Sequence, residues 1–171
     1  MVFVMEEKNN SVCFTGHRKI RKKDTLLEDN LYKNIEDLIT KGFIYFYAGG
    51  AKGFDALASK TVIKLKEKYS YIQLILVLPF HNQFKKENDW SFDEIKEYED
   101  LKKQALKVIH IQEEYSIGCY YRRNMRLVDL SSVCVCYEYK NHGGTAYTVE
   151  YAGRQGLKIV RVEGRGFGAE V

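Results

Sequence analysis

Residues 43–65 read FIYFYAGGAKGFDALASKTVIKL, and this stretch decides the fold class. Nearly all of residues 43–48 are aromatic, β-branched or small, which is typical of a strand buried on both faces. After Gly49 and Gly50, apolar residues recur at the helical period along residues 54–65. A doubly buried strand, a glycine turn and an amphipathic helix together indicate a parallel sheet with helices packed on it.

The same alternation of short apolar runs and helical periodicity continues in both directions along the chain. Strands are predicted at residues 11–15, 43–48, 71–78, 108–111, 132–137 and 158–162. Helices are predicted near residues 27–39, 54–65, 91–105, 120–130 and 143–155. A polar loop is expected before Ser91, which forms a capping-box pattern with Glu94. We therefore predict an α/β protein with a single Rossmann-like, doubly wound, mainly parallel sheet and helices on both faces.

Length and composition limit the number of domains and the classes of partner. The 171 residues suit one domain, predicted at residues 11–162 between an N-terminal extension (1–10) and a flexible, glycine-rich tail (163–171). A hydrophobic content of 45% excludes a disordered chain. The net charge of +4 is too small to demand nucleic acid or an anionic membrane as partner.

The sequence also bears on the expected location and on metal binding. No apolar run approaches the roughly 20 residues of a membrane helix, and residues 2–5 are too short for a secretory signal. We therefore expect a cytoplasmic protein with no membrane partner. The cysteine spacing suits neither zinc nor disulfides, so we expect reduced, buried thiols and neither metal nor cofactor. The four cysteines are Cys13, Cys119, Cys134 and Cys136.

Ligands of open parallel sheets bind beyond the carboxyl ends of the strands, so the loops that follow predicted strands are the ones to inspect. Residues 49–55, GGAKGFD, combine glycines with the start of a helix. Backbone N–H groups in such a loop can approach a phosphate closely. The loop lacks the patterns of a P-loop and of a dinucleotide fingerprint. It is predicted as a phosphate cradle, with a plain connecting turn as the alternative.

A second glycine turn strengthens the prediction of an anion site. Residues 143–145, GGT, repeat the arrangement after another predicted strand, where Thr145 could cap the helix or contact an anion. Arg18 and Arg123 add permanent positive charge near the same sheet edge. Each arginine taken alone is better explained as a solvated surface charge. The combination favours a phosphate-bearing ligand.

Five short motifs occur in order along the chain. They are CFTGHR (13–18), GGAKGFD (49–55), LPF (78–80, with Gln83 and Trp90 behind it), Arg123-Asn124 and GGT (143–145). Together they resemble the SLOG superfamily, named for the Smf/DprA DNA-processing proteins and the LOG phosphoribohydrolases. The resemblance is closest to the YpsA-like branch and spans roughly residues 11–160.

This resemblance implies a Rossmann-like fold that binds a nucleotide or nucleotide-derived molecule over the two glycine loops. Carried over by position, phosphate would be held by Gly49, Gly50, Gly53, Gly143, Gly144 and Thr145. Arg123, followed by Asn124, would face the anion, and Asp55 would face the site or cap its helix. Gly16, His17 and Arg18 would form the opposite wall. Trp90 is the candidate to stack on a base, with a core anchor as the alternative.

An enzymatic function of the LOG type is the first alternative. LOG enzymes carry a glutamate three residues after the motif threonine, whereas the corresponding residue here is Thr148. The nearest acid, Glu150, lies two residues beyond Thr148. On a helix this spacing rotates its side chain by about 200° away from the position of the family's glutamate. This disfavours N-glycosidic hydrolysis of that type, although Asp55 or Glu138 could supply a carboxylate. Cys13 is expected to be buried rather than a nucleophile.

Single-stranded DNA binding, as in DprA, is the second alternative. Residues 17–23, HRKIRKK, form a basic run that could follow a phosphate backbone, but the small net charge argues against it. The preferred prediction is a sensor, sequestering or regulatory protein whose partner is a nucleotide-derived small molecule, and enzymatic activity is disfavoured but left open. Because SLOG relatives often pair, assembly into a homo-oligomer stays open.

Overall fold

The computed structural model describes residues 7–165, which form six parallel strands and six helices. The strands are β1 (Ser11–Gly16), β2 (Tyr45–Ala48), β3 (Gln73–Leu78), β4 (Lys107–His110), β5 (Val133–Tyr137) and β6 (Lys158–Arg161). The helices are α1 (Leu27–Thr40), α2 (Phe54–Lys66), α3 (Gln83–Glu87), α4 (Phe92–Gln104), α5 (Cys119–Asp129) and α6 (Gly144–Arg154). Within residues 7–165 there is no helix with both the length and the apolar character needed to cross a membrane.

The strands form one sheet in the order β4-β3-β2-β1-β5-β6, which confirms the predicted doubly wound α/β fold. From β1 the chain builds outward to β4, then crosses back to add β5 on the other side of β1. The neighbouring strands β1 and β5 end together, with Gly16 opposite Tyr137. This edge is the topological switch point, where a crevice opens beyond the strands.

Both faces of the sheet are covered, which explains why the central strands lack alternating polar residues. On β1, Val12 and Phe14 pack in the core that contains α1, α2 and α4, whereas Cys13 packs in the core that contains α5 and α6. The four cysteines are buried and unpaired, as predicted. The sheet is therefore a rigid middle layer that presents its loops at one edge.

The largest differences from the prediction are the starts of two strands and the content of one loop. The strands β2 and β3 begin two residues later than expected, because the backbone N–H groups of Phe43 and Ile72 bond back to the preceding turns. Residues 79–90, predicted as a polar loop, contain the short helix α3, flanked by Asn82 and Asn88 at positive φ. The capping box is confirmed, since the Glu94 N–H donates to the Ser91 hydroxyl at 3.2 Å.

The first residues of the predicted tail pack against α1 and the segment before it. The Gly164 carbonyl accepts a hydrogen bond from the Leu26 N–H at 3.0 Å, and the Glu163 carbonyl accepts one from the Asn30 amide at 2.7 Å. Residues 166–171 of that tail and residues 1–6 of the predicted N-terminal extension lie outside the described residues.

Gly53 is expected to be the least replaceable glycine of the first glycine loop. It has a φ of +75°, and an added Cβ would lie 2.2 Å from the Arg18 carbonyl oxygen. The substitution Gly53→Ala should therefore lower the free energy of unfolding by about 2–3 kcal/mol, measured by urea denaturation. In helix α6, Gly153 has open space around it, so Gly153→Ala should raise stability by about 0.5–1 kcal/mol. Equal effects of the two substitutions would contradict this interpretation.

Candidate functional site

A cavity of about 460 Å³ opens at the switch point, beyond the carboxyl ends of β1 and β5. The loop after β1, the start of α2, the end of α3, one face of α5 and the segment from Lys140 to α6 surround it. The sequence-predicted residues that line this cavity are Gly16, His17, Arg18, Asp55, Arg123, Asn124, Gly143, Gly144 and Thr145. The fold thus brings four separate segments of the prediction to one place.

Arg123 is held rigidly at the cavity wall. Its side chain is buried, its Nε donates to Asn124 Oδ1 at 2.8 Å, and its Nη1 donates to the Gly49 carbonyl. A Cβ at Gly49 would lie 2.8 Å from Arg123 Nη1 and 2.9 Å from Asp55 Oδ2, so a glycine is needed between them. Among the described residues, Arg123 Nη2 has no hydrogen-bond partner, which leaves it available to a ligand.

Asp55 both lines the cavity and stabilises the first glycine loop. Its Oδ2 accepts a hydrogen bond from the Ala51 N–H at 3.3 Å. Burial raises the pKa of Asp55 to about 6, although the nearby charge of Arg123 acts in the opposite direction. The carboxyl group therefore changes its protonation state close to neutral pH.

Glu87 is a site residue that the sequence analysis missed. Its side chain is only 9% exposed and accepts hydrogen bonds from Arg18 Nη2 at 2.5 Å, from the Tyr120 hydroxyl at 3.1 Å and from Trp90 Nε1. These three donors fix a carboxylate at the cavity wall. Two of its three partners, Arg18 and Tyr120, come from distant segments, and the only local signal was the three-residue spacing from Trp90.

The second glycine turn leaves the N-terminus of α6 open to the cavity. Gly143 has a φ of +94°, the helix has no side-chain cap, and its first turn contains no acidic residue. An added Cβ at Gly143 or Gly144 would meet nothing within 4 Å. Since the first N–H groups of a helix lack partners within it, α6 presents free donors and a partial positive charge here.

The glycines of the first glycine loop pack against the protein and lie outside the switch-point cavity. Gly49, Gly50 and Gly53 do not line the cavity, because each is closely packed against the protein itself. A Cβ at Gly50 would lie 2.2 Å from Leu78 Cδ2, and the N-terminus of α2 is occupied by the His17 carbonyl, which accepts from the Phe54 N–H at 3.2 Å. Close packing is a sufficient reason for glycine at these three positions.

Trp90 also lies outside this cavity. Its indole N–H donates to Glu87, and its ring contacts the edge of Tyr98 at a centroid distance of 5.4 Å. The ring packs between α3 and α4, in the manner of a core anchor, instead of facing the switch-point crevice. The hydrogen bond to Glu87 connects Trp90 to the lining of the switch-point cavity.

The opposite wall combines a neutral histidine with further cationic residues. Burial and the charge of Lys140 lower the pKa of His17, whose Nε2 accepts a hydrogen bond from the Tyr139 N–H at 3.1 Å. Lys140 and His142 line the cavity although the sequence analysis did not select them. The charged side chains of the lining are those of Arg18, Arg123 and Lys140 against Glu87 and, when it is ionised, Asp55.

The other two acidic residues considered in the sequence analysis, and Cys13, lie outside this cavity. Glu138 accepts a hydrogen bond from Arg161 Nη1 at 2.9 Å, and Glu150 forms an exposed ion pair with Arg154. Cys13 is buried in the core beside α5 and α6. Within the part of the chain that the structure describes, no three His, Cys, Asp or Glu side chains are grouped in a way that could hold a metal ion.

This fold and this arrangement of motifs match a known family. The family model YpsA, described as the YspA SLOG family, covers residues 12–159, which include the switch-point cavity and nearly the whole sheet. The chain belongs to this SLOG family. The resemblance seen in the sequence, including its YpsA-like branch, is confirmed.

Two curated proteins are similar to this SLOG protein over at least two thirds of each chain. The uncharacterized SPbeta prophage-derived protein YoqJ of Bacillus subtilis is 32% identical over 139 residues, which cover 74% of this chain and 80% of YoqJ. The UPF0398 protein BH1768 of Halalkalibacterium halodurans is 31% identical over 140 residues, which cover 80% of this chain and 70% of that protein.

Solved structures of DNA processing protein A share the fold of this SLOG protein. The protein from Streptococcus pneumoniae superposes with a TM-score of 0.66 at 16% identity over 94% of this chain. The protein from Helicobacter pylori, described for its single-stranded DNA binding mode, gives a TM-score of 0.66 at 15% identity over 94% of this chain. The SLOG chain spans 52% of the first protein and 68% of the second. At these identities the likeness concerns the fold alone.

Proposed function

We propose that this SLOG protein binds a nucleotide or nucleotide-derived, phosphate-bearing small molecule in the switch-point cavity, as a sensor, sequestering or regulatory protein. The observation that carries the proposal is the uncapped N-terminus of α6, opened by Gly143 and Gly144, which shares one cavity with Arg18, Arg123 and Lys140. A volume of about 460 Å³ lies within the range of about 300–1,000 Å³ that small-molecule sites occupy.

The donors and acceptors of the cavity suit the different parts of such a ligand. The N–H groups at the start of α6 and the free nitrogen of Arg123 suit a phosphate, because both present fixed donors and positive charge. Glu87 and Asp55 can accept hydrogen bonds from the hydroxyl groups of a sugar. The resemblance to SLOG proteins points to the same class of ligand.

The substitution Gly144→Asp is expected to abolish most ligand binding without unfolding the protein. Its carboxylate would lie at the start of α6, where it can cap the helix but repels a phosphate. We expect a nucleotide that raises the Tm of the wild type to bind this variant about 10- to 100-fold more weakly. The measurement is a thermal-shift screen of mononucleotides, dinucleotides, ADP-ribose and cyclic signalling nucleotides, followed by titration of the hits.

Gly144→Asn is the matched control, because it has nearly the same size and no charge. It should keep most of the affinity, and both variants should unfold at or above the wild-type temperature without ligand, since Gly144 has open space around it. The proposal fails if no compound stabilises the wild type, or if Gly144→Asp binds a confirmed ligand as tightly as Gly144→Asn does.

Asp55 favours a second candidate function, the cleavage of a nucleotide N-glycosidic bond. A carboxyl group with a pKa of about 6 can act as a general acid near neutral pH, and Glu87 adds a second, ionic carboxylate to the same cavity. Such cleavage passes through an oxocarbenium-like state that a carboxylate stabilises. The test is chromatography of AMP and related monophosphates after incubation with the protein. The wild type should release free base and Asp55→Asn should not. If the wild type releases none, cleavage is excluded and the binding function is favoured.

The basic run at residues 17–23 gives less support to DNA binding than its sequence suggests. Arg21 is paired with the buried Asp24, so its charge is already engaged within the protein, whereas Arg18 lines the switch-point cavity beside Glu87. Lys22 and Lys23 stay exposed. DNA binding would be favoured instead by one pair of results. The affinity for single-stranded DNA would fall steeply with salt, and it would weaken after both lysines are replaced.

A further inference from the structure

Two tyrosines with exposed rings, one on α5 and one on α6, contact each other beside the switch-point site. Tyr121 is 49% exposed and Tyr147 is 42% exposed, and their ring centroids lie 4.8 Å apart with the ring planes at 89°. In this edge-to-face arrangement one ring contributes only its edge, so its two faces stay free of the other ring. These residues form the tyrosine pair, and open aromatic faces of this kind are what nucleobases stack on.

The helix positions of the tyrosine pair place both rings at the edge of the sheet where the cavity opens. Tyr121 comes three residues before Asn124, and Tyr147 comes three residues after Gly144; Asn124 and Gly144 both line the cavity. Residues three apart share a face of a helix, and side chains tilt toward the start of their helix. Since α5 and α6 each follow a strand, both helices start at this edge. Both rings therefore tilt toward the cavity.

Farther from the cavity, a different contact joins the same two helices. The Tyr151 hydroxyl donates to Asp129 Oδ1 at 2.7 Å. Tyr151 lies about one turn after Tyr147, and Asp129 lies about two turns after Tyr121. The helices thus run side by side in the same direction, and the tyrosine pair is at the end of their contact nearest the cavity.

The aromatic rings that line the cavity itself are already engaged within the protein. Phe14 is only 1% exposed, and the ring of His17 contacts that of Tyr139 at a centroid distance of 4.1 Å. The Tyr120 hydroxyl donates to Glu87 at 3.1 Å, which fixes that ring against the wall. The tyrosine pair is therefore the better aromatic surface for a base bound at this edge.

We propose that the tyrosine pair is the base subsite of the switch-point site, so that the ligand is a nucleotide with its base intact and not a sugar phosphate. This inference rests on the proposed function, because it takes the phosphate to lie at the N-terminus of α6. A base joined to that phosphate through one ribose then lies within reach of Tyr147, in the first turn of α6, and of Tyr121 beside it. Stacking uses the π face that every base has, so the pair recognises the presence of a base.

Titration calorimetry with AMP and with ribose 5-phosphate tests this inference, because the two compounds share a phosphate and a sugar and differ in the base. The wild type should bind AMP about 10- to 100-fold more tightly than ribose 5-phosphate. Tyr121→Ala and Tyr147→Ala should each weaken AMP binding about 5- to 50-fold, because a stacking ring is lost. Both variants should bind ribose 5-phosphate as the wild type does, and Tyr147→Phe, which keeps the ring, should retain the affinity for AMP.

Tyr151→Ala is the matched control, because it removes a tyrosine from the same pair of helices at a greater distance from the cavity. It should leave the affinity for AMP unchanged. An NMR titration gives a second readout that does not depend on affinity. AMP should shift the ring proton signals of Tyr121 and Tyr147 through the ring current of the base, whereas ribose 5-phosphate should not.

The inference is overturned, while the proposed function stands, if the wild type binds AMP no more tightly than ribose 5-phosphate. It is also overturned if Tyr151→Ala weakens AMP binding as much as Tyr147→Ala does, or if the tyrosine variants lose both compounds equally, since the rings would then serve helix packing. Binding of neither compound overturns it as well, and the nucleotide screen with Gly144→Asp decides the proposed function separately.

Discussion

Replacing Arg123 with leucine is expected to lower the free energy of unfolding by about 3–5 kcal/mol at neutral pH. Arg123 is the principal cation beside the buried carboxyl group of Asp55, and both groups flank Gly49. Without the guanidinium, that carboxylate is left in the interior with no nearby positive charge from α5. The Gly49 carbonyl and the Asn124 side chain also lose their donors.

This loss should depend on pH in a direction that the pKa of Asp55 fixes. Its pKa is about 6 in the folded protein against an ordinary 3.8, so between these values the folded state keeps a proton that the unfolded state has released. Asp55 therefore makes wild-type stability fall as pH rises from about 4 to about 6, by about 3 kcal/mol in total. In Arg123→Leu the fall should be larger and continue to higher pH, because the pKa of Asp55 rises further.

Urea denaturation at several pH values, with two further variants, tests this explanation. Arg122→Leu changes the neighbouring arginine, which is exposed and bonds to Gln112 and Ser116, so it should cost less than about 1 kcal/mol. Adding Asp55→Asn to Arg123→Leu should recover much of the stability, since it removes the unpaired charge. The explanation is contradicted if the two arginine substitutions lower the free energy of unfolding equally. It is also contradicted if the double variant recovers no stability, since Arg123 would then not stabilise the charge of Asp55.

Replacing Asp24 with alanine should also destabilise the protein by about 3–5 kcal/mol. The Asp24 side chain is fully buried and accepts hydrogen bonds from Arg21 Nε at 2.7 Å, from Arg21 Nη2 at 3.2 Å and from the Tyr137 hydroxyl. Arg165 Nε lies 3.8 Å away. Alanine would leave the Tyr137 hydroxyl and the Arg21 guanidinium without their acceptor, beneath the segment at Gly164.

Asp37→Ala is the matched control for this substitution. Asp37 is 59% exposed and pairs with Lys41 on the surface of α1, so its loss should change stability by less than about 0.5 kcal/mol.

Burial by itself raises the pKa of Asp24, but the hydrogen bonds from Arg21 and Tyr137 and the nearby arginine charges outweigh burial and lower it. The wild-type advantage over Asp24→Ala should therefore shrink as pH falls through that lowered pKa. An advantage that does not change in acid would rule out the ionised carboxylate as its source.

The fold was predictable because its determinants are local. Doubly buried strands, helical periodicity and glycine turns each depend on neighbouring residues, and they place the loops at one edge of a parallel sheet. The residues that follow β1 and β5, and the pair Arg123-Asn124 on α5, therefore reached the same cavity as predicted. The short helix α3 was missed, since two asparagines at positive φ define it rather than a periodic pattern.

The sequence by itself determined the α/β fold, the family and the open glycine turn at the start of α6. Tertiary structure alone decided that Glu87 lines the switch-point cavity, that Gly50 and Gly53 are closely packed, and that Trp90 packs against Tyr98 instead of lining that cavity. The deciding contacts join residues far apart in the chain, as between Arg18 and Glu87 or between Arg123 and Gly49, which are separated by 69 and 74 positions. Periodicity reports which residues are buried, whereas the pairing of donors with acceptors depends on how distant segments approach one another.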